Sequence, residues 1–224
     1  MRIFLIRHGE SMQNTKENYT IKLPDHQVYL TEKGKMQADA AGIFLKSYID
    51  ENNIDISNAT LWNSPYKRTH QTANIINKHL EITRCHQDPL LIEERFGLFG
   101  DEHIDVLRAK FPEEFAVYDR YYQNEGKFYL PKPQGDAGID VYVRAKLFTD
   151  TIFRDLYFDD IDTHIIVSHG AFIKAFIMGW LHETPTWYAQ EPPIDNCNIV
   201  EINRVKQKEK TLELIYKGDV NPIE

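Results

Sequence analysis

Cysteine is nearly absent from this sequence. The 224 residues hold only Cys85 and Cys197, which excludes a disulfide framework and leaves no zinc-ligand spacing. Both are expected as reduced, buried thiols. Positive charge is also in short supply, with 34 Asp and Glu against 26 Lys and Arg, for a net charge of −8. That sign argues against a general binder of nucleic acid or of an anionic membrane, while leaving room for a local basic pocket. No apolar run approaches the roughly 20 residues of a membrane-spanning helix. The apolar run before Arg7 is too short for a signal peptide, so a cytoplasmic protein is expected. There is no low-complexity tract and no repeat architecture.

What remains is the make-up of an ordinary globular chain, 42% apolar and 27% charged. Residues 3–6 form a continuous apolar run, the pattern of a strand covered on both faces in a parallel sheet. Residues 59–63 and 164–168 read as further strands. Helical spacing follows a Thr31 N-cap through Met36, Ala40, Ile43, Phe44 and Leu45 to about Tyr48. A second helix is expected to start at Ser64-Pro65, with Ser as cap and Pro in the first turn, and to run to about His79. Val141, Ala145, Phe148, Ile152 and Leu156 mark a third, ending near Asp159-Asp160, and residues 170–181 a fourth. Short extended segments are expected at 81–86 and 89–93, a Pro-rich loop at 182–195, and closing strands near 197–203 and 211–216.

Strands alternate with helices through most of the chain. This predicts an α/β fold: a three-layer sandwich with a mostly parallel sheet and helices on both faces. A polar loop containing Asn14, Tyr19, Pro24 and Asp25 runs to about Leu30. From Gly97 to about Gly138 the pattern changes to crowded aromatics, with Pro112 interrupting any long helix and Pro131, Pro133, Gly135 and Gly138 marking a loop. We read this interval as a small helical cap inserted into one domain spanning residues 1–224. The cap reads as poor in cations and rich in aromatics, which favours larger or less acidic substrates.

Sites in open α/β sheets lie beyond the carboxyl ends of the strands. Arg7-His8-Gly9, Asn63-Ser64-Pro65 with Arg68, and Ser168-His169-Gly170 all fall at such ends. Glycine after each His leaves room for a ligand beside the backbone, and helix N-termini such as the one opening at Gly170 point N–H groups at an anion. Neutral imidazole is a nucleophile able to form a covalent intermediate, and nearby arginines disfavour its protonated form. Guanidinium forks match phosphate oxygens. His8 is therefore the candidate nucleophile, Arg7 and Arg68 the clamps, and His169 a further donor to developing negative charge. Asn14 is a neutral donor from the loop, and Glu93 or Glu94 the general acid. Ser11 either contacts the same phosphate or shapes the loop. The remaining histidines (His26, His70, His79, His86, His103, His164 and His182) show no metal spacing, so neither metal nor cofactor is called for.

These residues resemble the histidine phosphatase superfamily, also called phosphoglycerate mutase-like. The resemblance rests on five segments in order. They are Arg7-His8-Gly9-Glu10-Ser11 with Asn14; Leu30-Thr31-x-x-Gly34-x-x-Gln37-Ala38; Ser64-Pro65-x-x-Arg68-Thr69-x-Gln71-Thr72; Glu93-Glu94-Arg95-Phe96-Gly97; and Val167-Ser168-His169-Gly170. The resemblance implies a phosphohistidine on His8, a phosphate pocket of Arg7, Asn14, Arg68 and His169, and Glu93 rather than Glu94 as the acid. Ala171-Phe172 stands where glycolytic mutases carry Asn-Ser, and only scattered Arg108 and Arg120 stand for their paired arginines. Pro133-x-Gly135-Asp136 resembles a segment of phosphatase-like members, with Asp136-Ala137 departing from it. The expected function is thus a metal-independent phosphomonoester phosphatase acting on a small phosphorylated metabolite. A primed phosphoglycerate mutase and a catalytically silent phospho-ligand binding module are the alternatives.

Overall fold

The apolar run at residues 3–6 becomes the centre of a six-stranded mixed sheet. The computed structural model describes residues 1–15, 23–100, 104–205 and 209–218; Tyr19 and His103 lie outside the described residues. The strands are β1 (Arg2–Arg7), β2 (Thr60–Asn63), β3 (Arg84–Gln87), β4 (Thr163–Ser168), β5 (Ile199–Val205) and β6 (Glu209–Tyr216), in the order β3-β2-β4-β1-β5-β6. The first four run parallel; β5 is antiparallel to β1 and β6 to β5. The helices are α1 (Glu32–Glu51), α2 (Lys67–Leu80), α3 (Ile104–Lys110), α4 (Pro112–Tyr129), α5 (Gly138–Asp159), α6 (Gly170–Leu181) and α7 (Pro185–Gln190).

Both faces of the sheet are covered because alternate side chains of β1 point to opposite sides. Ile3 and Leu5 pack with Phe148, Ile152, Phe172 and Phe176 of α5 and α6. Phe4 and Ile6 pack with Ala38, Ala41, Leu45, Ala73 and Ile76 of α1 and α2. All four β1 residues are fully buried, each burial stabilising the fold by about 1.5–3 kcal/mol.

Several local expectations are corrected. The buried stripe of α1 is Gly34, Gln37, Ala38, Ala41, Gly42, Leu45 and Ile49, while Met36 and Ile43 face solvent, 49% and 53% exposed. Small residues occupy the core face because α2 lies so close that a Cβ on Gly42 would come within 2.5 Å of the His79 ring. Helix α2 starts at Lys67, with Ser64 and Pro65 left in the turn before it. Residues 89–91 form a 3-10 turn capped by Asp88, not a strand. Inside the Pro-rich loop, Thr184 accepts from Trp187 N–H and Pro185 fills the first turn, which starts α7. Cys85 is exposed, on the edge strand β3; Cys197 is buried. In the cap interval Pro112 opens α4, and Phe99 stacks on Phe115 at 4.7 Å. Among the described residues no helix is long and apolar enough to cross a membrane.

His164 sits fully buried in β4 between Ile3 and Thr60, and burial pushes its pKa from 6.5 to about 4. The unfolded chain therefore binds more protons than the native one between these values. Its contribution to stability is complete above about pH 6.5 and is lost as pH falls toward about 4. His164→Leu is expected to reduce the acid loss of unfolding free energy across that window by up to about 3 kcal/mol, read by urea unfolding at stepped pH. An unchanged slope would show that His164 is not an acid-sensitive element.

Candidate active site

Three neighbouring parallel strands deliver the candidate residues to one place. Arg7 and Ser168 are register partners at the ends of β1 and β4, as Asn63 and Val167 are on β2 and β4. His8 N–H donates to Ser168 C=O at 3.0 Å, and Ser64 N–H to Val167 C=O at 3.2 Å. His8 and His169 consequently meet edge to face, with ring centroids 5.2 Å apart. Both are buried, 3% and 0% exposed.

The protonation of these rings follows from their surroundings. Burial, then Arg68 and Arg7, holds His8 well below its ordinary pKa. A neutral His8 donates from Nδ1 to Gly9 C=O at 2.8 Å, so the lone pair is on Nε2. His169 is likewise held neutral by burial and by Arg68, His8 and Arg7. Its Nε2 lies 2.9 Å from Ser64 Oγ. That oxygen accepts from Tyr66 N–H at 3.4 Å, so the hydroxyl can donate to His169 and leave the ring proton on Nδ1.

Each guanidinium is anchored at one end. Arg68, 1% exposed, donates from Nη1 to the Asp25 carbonyl and carboxylate, both at 2.8 Å. Arg7 donates from Nη1 to Ile194 C=O at 2.5 Å. Arg7 Nε, Arg68 Nε and His169 Nδ1 are buried without a hydrogen-bond partner among the described residues. Orphaned buried donors are rare in native proteins and call for a reason. Three converging here suit an anion with several oxygens.

Glu93 stands at the N-terminus of α6. Its carboxylate accepts from Ala171 N–H at 3.2 Å and Glu94 N–H at 2.9 Å. Burial outweighs those bonds and the two arginines, and raises its pKa. The Glu94 carboxylate is instead ion-paired with Lys132. A cavity of about 390 Å³ opens over Arg7, Glu93 and Gly170, walled partly by Lys127, Lys132 and Lys174. The wall corrects the expectation of a cation-poor cap: residues scattered in sequence converge in space.

Residues 3–217 match the histidine phosphatase superfamily (branch 1). The chain belongs to this family. It is 28% identical to the phosphoglycerate mutase-like protein AT74H of Arabidopsis thaliana, over 88% of this chain and 71% of that one. It is 23% identical to the broad-range acid phosphatase DET1 of Saccharomyces cerevisiae, over 81% of this chain and 79% of the relative. Among solved structures, the α-ribazole phosphatase from Shigella flexneri has the same fold, with a TM-score of 0.73, 20% identity and 100% of both chains covered. A mycobacterial glucosyl-3-phosphoglycerate phosphatase matches with a TM-score of 0.66 at 17% identity, covering 90% of this chain and 89% of the other.

In this member of the family the remaining motif residues act as a frame. A Cβ on Gly9 would lie 2.3 Å from Gly34 C=O, and one on Gly34 1.9 Å from Glu10 C=O. Gly9 is thus required by backbone packing against α1 rather than by a ligand. Gly170 is roomier, an added Cβ meeting Arg7 Nε at 3.7 Å. Gln37 accepts from Glu10 N–H at 2.8 Å, and Thr72 from Gly9 N–H at 3.1 Å. Asn196 donates to His8 C=O at 2.8 Å. The Ser11 hydroxyl donates to Asn14 Oδ1 at 3.0 Å, leaving the exposed Asn14 amide nitrogen as the donor.

Asp136, 1% exposed, supplies the support that its motif left open. It accepts from Arg95 Nε at 2.8 Å and Arg144 Nη1 at 3.1 Å, and Arg144 Nη2 donates to Glu93 C=O at 3.2 Å. Gly97, at φ +54°, lets the Glu93 loop lie against Pro133, whose carbonyl a Cβ would approach to 2.2 Å. Asp25 and Arg144 carried no signal of their own in the sequence, and Asp136 only its place in the Pro133-x-Gly135-Asp136 segment.

Asp25 orients Arg68 by holding its Nη1 end. Asp25→Ala is expected to weaken inhibition by orthovanadate about tenfold with little change in thermal stability. An unchanged inhibition constant would remove Asp25 from that role.

Proposed function

We propose that this chain is a metal-independent phosphomonoester phosphatase working through a phosphohistidine on His8, with residues 97–138 as the substrate cap of a single domain. The observation that carries it is the set of three orphaned donors, Arg7 Nε, Arg68 Nε and His169 Nδ1, beside a neutral His8. Two fixed guanidinium charges supply the neutralisation a phosphoryl group needs. Similarity to a broad-range acid phosphatase supports hydrolysis as the outcome. The substrate class is a small phosphorylated metabolite, in keeping with a cavity of about 390 Å³. The free thiols of Cys85 and Cys197 favour the cytoplasm.

In the first step His8 Nε2 attacks phosphorus and forms the P–N bond. The ester P–O bond breaks, and the leaving oxygen takes the proton of Glu93. In the second step the Glu93 carboxylate accepts a proton from water as that water attacks phosphorus. The P–N bond breaks, phosphate departs and neutral His8 returns. Arg7, Arg68, His169 and Asn14 hold the phosphoryl oxygens throughout. Ser11 positions Asn14, and the Gly170 backbone opens the helix beside Arg7.

Turnover of an aryl phosphate is expected in excess chelator, with an acid-labile phosphoenzyme trapped in the quench. His8→Ala is expected to abolish both; retained turnover would end the phosphohistidine mechanism.

A neutral His8 and a protonated Glu93 are both required. Rates therefore fall as pH drops through the lowered His8 pKa and as it rises through the raised Glu93 pKa. Glu93→Gln is expected to remove the alkaline limb and to cost about 10²–10⁴-fold on alkyl esters but far less on p-nitrophenyl phosphate, whose leaving group needs no acid. Equal losses on both substrates would reassign the proton donor.

A further inference from the structure

We infer that the alcohol half of the substrate carries a second acidic group, held by Lys174 and Lys127 in the cavity over the phosphate grip. This inference rests on the phosphatase reading for its placement of the phosphoryl group. The cavity of about 390 Å³ is lined by two groups of charged side chains. Arg7, whose charge acts on His8, lines it with Glu93 and Gly170, and so do Lys127 of α4, Lys132 of the loop after it and Lys174 of α6.

The charges of that wall do not balance among the described residues. Lys132 is neutralised by its ion pair with Glu94. Glu93 is turned toward the backbone N–H of Ala171. A dianionic phosphoryl group would match Arg7 and Arg68. Lys174 and Lys127 are then left over, and neither has an ion pair with a described carboxylate.

Lys174 is held in place for a role of this kind. It is half-buried, donates to Glu191 C=O at 3.2 Å and lies over the Tyr188 ring at 4.4 Å. Burial lowers its pKa, and the charge of Lys127 lowers it further, against the opposing pull of Glu94, Glu191 and Glu93. Lys127 follows Gly126, whose φ of 64° and ψ of 179° break the helix at that point. Only glycine adopts that conformation readily. Lys174, half-buried, and Lys127, exposed, put two like charges on one cavity lining, and an anion between them offsets their repulsion. A neutral alcohol would leave that repulsion in place. Tyr118, Tyr122 and Phe96 line the rest of the cavity and offer apolar faces to the carbon skeleton.

Matched ester pairs test this. Glycerol 3-phosphate against 3-phosphoglycerate isolates a carboxylate, and fructose 6-phosphate against fructose 1,6-bisphosphate isolates a phosphate. At least one acid-bearing member is expected to exceed its neutral partner by about tenfold in kcat/KM, chiefly through KM; the pair that shows it names the acid. The Lys127→Met/Lys174→Met double variant is expected to erase that preference while keeping turnover of the neutral member within about twofold of wild type. Lys174→Arg is expected to retain the preference, which separates charge from packing. No preference in either wild-type pair, or an equal fall for both members in the double variant, would overturn the inference. Calorimetric binding of the same pairs is measured alongside. Turnover of p-nitrophenyl phosphate with no preference in either pair overturns this inference and spares the phosphatase reading, whereas no turnover of any ester overturns both.

Discussion

Setting two guanidinium groups, Arg68 buried and Arg7 half-buried, beside two buried imidazoles is the constraint on which the rest of this structure depends. Arg7 and Arg68 lie at the ends of strands and helices that the core brings together, and their charges act at short range in a space shielded from water. Their field and the burial keep His8 and His169 neutral. The same field opposes the rise in the Glu93 pKa, but burial prevails there. One electrostatic environment thus shifts the imidazoles down and the carboxyl up, both toward their neutral forms, the pairing that the proposed transfer reaction requires.

Such a concentration of like charge requires a stiff frame, and most of the motif residues provide one. Gly9 and Gly34 allow two backbones to touch, and Gln37 and Thr72 take up the N–H groups of the loop that follows β1. Asp25 holds Arg68 from outside. Asp136 holds Arg95 and Arg144, and Arg144 in turn holds the Glu93 backbone. Burial alone would raise the Asp136 pKa, but hydrogen bonds from Arg95 and the charge of Arg144 keep it below its ordinary value. It therefore remains an anion that anchors the acid loop.

Much of this was legible in the order of residues. Fully apolar strands announced a sheet covered on both faces, and the polar residues at their ends marked where a site forms. The face of α1 was not legible, since hydrophobicity pointed to Met36 and Ile43, while the close approach of α2 to Gly42 and of the Glu10 backbone to Gly34 called for small residues. The start of α2 was displaced because Ser64 bonds His169 instead of remaining a simple helix cap. The cap looked poor in cations because Lys127, Lys132 and Lys174 converge only once α4 and α6 are in place.

By itself the sequence determined the strands, their covering helices and the candidate side chains at the strand ends. These depend on local periodicity and on residues adjacent to strand ends. Only the tertiary structure decided how those side chains are held. Asp25 meets Arg68 across 43 positions and Asp136 meets Arg95 across 41. Ser64 reaches His169 across 105. Hydrogen bonds and charges act through distance in space, and no periodicity along the chain encodes a partner that folding alone brings within 3 Å.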